Sequence, residues 1–207
     1  NYSAREKTIE PDVGAGASFG TVHYAGDYRF GLLGNMSYSN SWNTIEVSRN
    51  SYGSTASGEL EPSNVMNFRS TEQSVDTTMF LTAGLEYGNN HTLNATVLQI
   101  HKMDDLAGNQ TGLMASEQIL IDQTRLEFVE QDLLSKQLQG EHIFDLASEL
   151  TIDWHYNESR AKREAPDTRD YRYDYDLSRD AYQFSLRGDA NSRIWSDLED
   201  NNEDIGV

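Results

Sequence analysis

Leu150-Thr151-Ile152-Asp153-Trp154-His155-Tyr156-Asn157 alternates apolar and polar residues without a break. In an extended strand, successive side chains point to opposite faces. Leu150, Ile152, Trp154 and Tyr156 therefore share one face, and Thr151, Asp153, His155 and Asn157 share the other. Such a strand needs an apolar medium on one side and a polar one on the other. A soluble sheet resting on a core meets that need, and so does the wall of a membrane barrel.

The same two-residue period recurs along the chain. A first strand is expected around Ser18 to Tyr24, followed by a tight turn at Ala25-Gly26-Asp27. The return strand sets Phe30, Leu32, Gly34, Met36, Tyr38 and Trp42 against Gly31, Asn35, Ser37, Ser39 and Ser41, with Leu33 alone breaking the polar face. A third strand puts Met79, Leu81, Ala83, Leu85 and Tyr87 on one face and ends at Gly88-Asn89-Asn90, a hairpin signal. A fourth runs from His91 to about Met103, a fifth from about Ile121 to Ile143, and a tight turn near Asp145 to Glu149 leads into the strand quoted first.

Three polar stretches separate these hairpins: about Arg49 to Ser74, Asp104 to Glu117, and Lys162 to Asp180. Their composition predicts loops. Tight turns and long loops then alternate strictly, which sorts all turns to one end of an up-and-down antiparallel sheet and all loops to the other. Outer-membrane barrels have that asymmetry, whereas a Greek-key sandwich has no reason for it. The expected fold is all-β: an antiparallel up-and-down transmembrane β-barrel wall of about seven strands, with short periplasmic turns and long extracellular loops. Residues 116–136 also fit a helix, since Ile119, Leu120, Leu126, Val129, Leu133 and Leu134 can share a helical face. Context favours a strand there, because no cap precedes Gly140.

Composition narrows the function classes. Of 207 residues, 37% are hydrophobic and mean hydropathy is -0.68, so a disordered chain would fit were it not for 10% aromatics, including eleven Tyr and three Trp. No run approaches the roughly 18 apolar residues of a membrane helix, so any crossing must be made by strands. A net charge of -18 argues against a nucleic-acid surface. The plainer reading of the acidity is a solvated surface; the functional one is attraction of cations. With no cysteine, disulfides and thiolate metal sites are excluded. Asn1 to Glu6 lack the layout of a signal peptide, so an exported form is expected to appear here without its beginning.

From Gln131 to Arg169 the wording becomes specific. The strand Glu130-Gln131-Asp132-Leu133-Leu134-Ser135-Lys136-Gln137-Leu138-Gln139-Gly140-Glu141-His142, then a turn, then Leu150-Thr151-Ile152-Asp153-Trp154, then Pro166-Asp167-Thr168-Arg169 with tyrosines behind it, resembles the barrel of a TonB-dependent outer-membrane receptor. Ser192-Arg193 and Leu198-Glu199-Asp200-Asn201-Asn202 resemble the next descending strand. The family usually has Glu-Arg-Glu at 130–132.

The resemblance implies a plug domain and a barrel of about 22 strands. Residues 1–207 then correspond to a partial β-barrel domain of six complete strands and a seventh ending at Val207, with no plug domain recognisable in this chain. It also implies a non-enzymatic role in uptake of a siderophore, vitamin or oligosaccharide in the outer membrane of a Gram-negative bacterium. The implied partners are outer-membrane lipid, the imported ligand, the remaining barrel strands, and an energy-transducing inner-membrane complex acting through the plug. No cofactor or metal is implied.

Candidate contacts follow. Leu150, Ile152, Trp154 and Tyr156 are expected to face lipid. In an outer loop, Arg169, Tyr171, Arg172, Tyr173 and Tyr175 alternate flat aromatic and charged groups suited to gripping a ligand; the plainer reading is tyrosines packing on one another. Asp153 and His155 share a face and could be imagined as an acid–base or metal pair, but ordinary polar lining of a watery lumen is the favoured reading, since a site needs convergence from other strands. Asp104-Asp105 is read as solvated loop rather than as a calcium site. The alternative is a self-contained secreted or surface β-protein that binds carbohydrate or a protein partner through the Tyr-rich loop. A small closed eight-stranded barrel would need a strand that the sequence does not supply.

Overall fold

The computed structural model describes residues 8–145 and 149–207, and its strands form one antiparallel sheet. The strands are β1 (Val13–Ala25), β2 (Tyr28–Ser54), β3 (Leu60–Tyr87), β4 (His91–Met114), β5 (Ile119–Phe144), β6 (Leu150–Asp176), β7 (Ala181–Phe184) and β8 (Ser192–Gly206). β1 to β6 run up and down in chain order, and among the described residues the sheet does not close into a barrel. β7 and β8 both pair with β6, at its far tip and along its middle respectively, so together they descend beside it. Residues 119–144 are strand, not helix. The expected turn near Asp145 to Glu149 includes residues 146–148, which lie outside the described residues, as do residues 1–7.

The three long loops are a correction. β2 and β3 pair from Tyr28↔Tyr87 to Ser54↔Leu60, leaving a connector of residues 55–59. β4 and β5 pair as far as Met114↔Ile119, and β6 continues to Asp176. The polar stretches are therefore strand. Composition misled because alternation arises only where one face meets something apolar; a ladder wetted on both faces needs polar residues on both. Cross-strand pairs satisfy them: Thr44 with Thr71 (3.0 Å), Gln73 to Asn40 (2.9 Å), Ser74 to Asp104 (2.6 Å) and Asn109 to Asp122 (2.6 Å). Pro166 and Asp167, expected to open a loop, lie where β6 shifts register against both β5 and β8, a bulge that tolerates proline. The asymmetry of the sheet thus lies in its strands. β2 alone has 27 residues, which at ~3.3 Å each reaches about 90 Å.

No helix and no second layer covers this sheet among the described residues. Met66, Ile121, Val129, Ala165 and Ala190 are its buried apolar residues, and none belongs to the apolar rows of the hairpin end. Those rows are exposed or half-buried: Phe30 is 46% accessible, Met36 51% and Leu81 46%, while Leu138, Ile152 and Trp154 are half-buried.

Candidate functional site

The register converts the alternating strands into a continuous surface. Tyr28 pairs with Tyr87, Tyr87 with His91, His91 with His142, and His142 with Ile152. On this face the apolar rows run from Tyr28 to Tyr38 on β2, Tyr87 to Met79 on β3, His91 to Val97 on β4, Phe144 to Leu138 on β5 and Leu150 to Tyr156 on β6. The four residues Leu150, Ile152, Trp154 and Tyr156 thus belong to one apolar stripe that runs across the sheet from β2 to β6. The opposite face carries Asn35, Ser37, Thr82, Glu86, Asn94, Gln137, Glu141, Asp153 and His155, interrupted by an apolar island of Phe80, Leu98, Ile100 and Leu133.

The far edge of the stripe does not follow the register. Tyr38 pairs with Thr77, and the stripe on β3 ends two residues nearer the hairpin, at Met79. Met79 pairs with Gln99, and the stripe on β4 ends at Val97; Val97 pairs with Lys136, and on β5 it ends at Leu138. Leu138 then pairs with Tyr156, and Tyr156 with Ile205. From β2 to β6 the edge descends about 1.5 residues per strand, or about 5 Å against an inter-strand spacing of about 4.8 Å. A flat boundary crossing strands tilted by about 45° leaves this trace. Beyond the edge Val75, Met103 and Leu134 recur singly among Lys136, Glu158, Arg160, Asp132 and Lys162.

An aromatic row lies at the hairpin end of the stripe. The Tyr28 and Tyr87 rings are 4.7 Å apart, Tyr87 stacks on His91 at 6.1 Å, and His142 stacks on Trp154 at 6.4 Å. Trp154 Nε1 donates to His142 Nε2 at 3.1 Å. Nδ1 of His142 lies 3.3 Å from Nδ1 of His91. Such rings, apolar in body and polar at one atom, suit a boundary between hydrocarbon and water.

The tyrosine segment lies on β6, not in a loop. Tyr173 meets Phe184 edge-on at 5.6 Å and Tyr175 meets Tyr182 at 5.2 Å, so these rings pack on β7. Arg172 points to the other face and is 5% accessible. It bonds Glu117 of the β4–β5 connector and Asp174 (2.7 Å), while its backbone carbonyl accepts from Ser185 N (2.9 Å). Arg187 also reaches Glu117 (2.7 Å), and Ser185 donates to Asp174 (2.6 Å). This knot ties the far ends of β5, β6 and β7 together, and the Arg172 guanidinium holds the Glu117 carboxyl below its usual range. Arg169 and Arg193 share Asp167, whose pKa the two guanidinium groups hold well below its usual value. Tyr171 lies opposite Thr124.

Asp153 and His155 are not brought together as a pair: His155 bonds Asp204 of β8 instead, at 2.8 Å. Asp104 bonds Ser74 and Lys102. One group the sequence reading missed is His101 of β4 with Glu130 and Asp132 of β5. Glu130 and Asp132 share a face by their two-residue spacing, but His101 joins them only through the β4–β5 register. Placing a loop at residues 104–117 concealed that register.

The chain matches no protein-family model and no curated protein.

Proposed function

We propose that this sheet is part of the wall of an outer-membrane barrel, in a TonB-dependent receptor that imports a scarce nutrient such as a siderophore, vitamin or oligosaccharide. One observation carries the reading. Among the described residues no second layer covers the apolar stripe, and its far edge, unlike its hairpin-end row, cuts across the register at the slant that a flat hydrocarbon boundary leaves on tilted strands. The aromatic row at the hairpin end and the polar opposite face support the same reading, with lipid on one side and a watery lumen on the other. The wording of residues 130–169 supports the particular family. In this reading the far halves of the strands stand clear of the membrane, and the register beyond the β6 bulge sets Arg169, Tyr171, Tyr173 and Tyr175 on the same face as the stripe, past its edge. Arg172 holds the scaffold beneath them.

Deletion of the gene tests it. Cells of the native host should lose energised uptake of one scarce nutrient and regain it with the gene restored, and the protein should sediment with the outer membrane and need detergent for release. Recovery of the folded protein in plain buffer would contradict the proposal.

A further inference from the structure

We propose that His101, Glu130 and Asp132 bind a divalent transition-metal ion of the zinc class, clipping β4 to β5. His101 and Asp132 are direct cross-strand partners in a ladder that runs from His91↔His142 to Met114↔Ile119 without a register shift. Glu130 is the next residue on the same face of β5. Each side chain can offer one donor atom, and the three atoms lie within 4.8 Å of one another. His101 Nδ1 is 2.7 Å from an Asp132 oxygen, and its Nε2 is 3.6 Å from a Glu130 oxygen. An ion at one ring nitrogen would draw in the carboxylate now beside the other, within the 4.8 Å that spans the three donor atoms.

The donor set chooses the ion. Calcium and magnesium prefer all-oxygen shells, whereas one imidazole with two carboxylates suits zinc and its neighbours and leaves a position for water. The backbone already holds the two strands, so the ion has no chain to order. His101 is 31% accessible and Glu130 35%, which leaves a path for entry. The nearest cation in register, Lys162 opposite Asp132, is turned toward Glu164 at 2.6 Å and does not fill the site. A chain charge of -18 raises the local cation concentration. The site stands on this geometry alone and does not depend on the membrane reading.

The test is titration of the folded full chain with zinc by calorimetry and with cobalt by visible absorption. One equivalent should bind, and the cobalt bands should disappear when zinc is added. His101→Gln should abolish the bands. Glu130→Gln, which leaves the His101 and Asp132 pair in place, should weaken binding at least about tenfold. His155→Gln and Glu158→Gln, on β6 outside the site, should leave affinity unchanged. Absence of a one-equivalent event, undiminished binding in His101→Gln, or complete displacement of cobalt by excess calcium would overturn the proposal.

Discussion

The indole of Trp154 lies over Gly140, its register partner on β5, so closely that a Cβ there would come within 2.6 Å of Nε1. Phe19 covers Gly34 in the same way across β1 and β2. An absent side chain on one strand thus gives room for a ring from the next. Gly140→Ala should push the indole aside and break its 3.1 Å bond to His142. Tryptophan fluorescence should shift in Gly140→Ala and stay unchanged in Gly31→Ala, where a Cβ meets nothing within 4 Å. Equal spectra for the two variants would show that the ring does not depend on that gap.

Leu32 stands in the middle of the apolar stripe on β2, and Asn35 points to the opposite face a short way along the same strand. If the stripe meets hydrocarbon, Leu32→Arg should cost about 2–4 kcal/mol of folding stability in lipid, with Asn35→Arg costing well under half of that. Reversible unfolding from vesicles in urea measures both. Similar costs at the two positions would remove the distinction between the faces.

Ile121 is wholly buried beside the Arg172 knot, whereas Ile205 is 70% accessible. Ile121→Ala should therefore lower stability by about 2–5 kcal/mol, the usual cost of truncating a buried aliphatic residue. Ile205→Ala, at an accessible position, should cost far less under the same conditions. A small effect at Ile121 would mean that the far end of the sheet is not packed as a unit.

Asp167 accepts from Arg169 and Arg193, and its carboxyl ionises well below its ordinary 3.8. A depressed carboxyl pKa adds stability that is fully present above the unfolded value and is lost as pH falls toward the folded one. The bulge at Pro166 should accordingly loosen below about pH 4, with neutral and alkaline conditions leaving it intact. Amide exchange at Thr168 and Ile194, corrected for intrinsic rates, should rise on acidification in the wild type; in Asp167→Asn it should already be raised at pH 7. Protection independent of pH in both proteins would exclude the pairing.

The half of the sheet nearest the hairpins was legible in the sequence. There an apolar row faces a polar one, and Gly26 and Gly88, both in the left-handed region, mark the turns at Ala25-Gly26-Asp27 and Gly88-Asn89-Asn90. The outer half was not legible, because strands such as Thr44 to Ser54 bury neither face and their polar composition is that of a loop. Register was the missing quantity. Without it, the Arg172 and Glu117 contact and the His101 group could not be seen, since each joins residues far apart in sequence through a connector whose length was overestimated. Tyr173 and Tyr175 illustrate the middle ground: their shared face was readable, their partners Phe184 and Tyr182 were not.

The slant of the stripe's edge is open to direct measurement, since the chain has no cysteine to remove. Single cysteines at Tyr38, Met79, Val97 and Leu138, spin-labelled in the native membrane, can be compared by the ratio of oxygen to nickel-chelate collision rates, which reports depth in lipid. All four labels should lie at one common depth, and labels at Thr77, Gln99 and Lys136, the register partners of the first three, should be more exposed to the chelate. Depth that follows the register rows, or labels at the four edge positions as open to the chelate as those at their partners, would contradict the membrane reading.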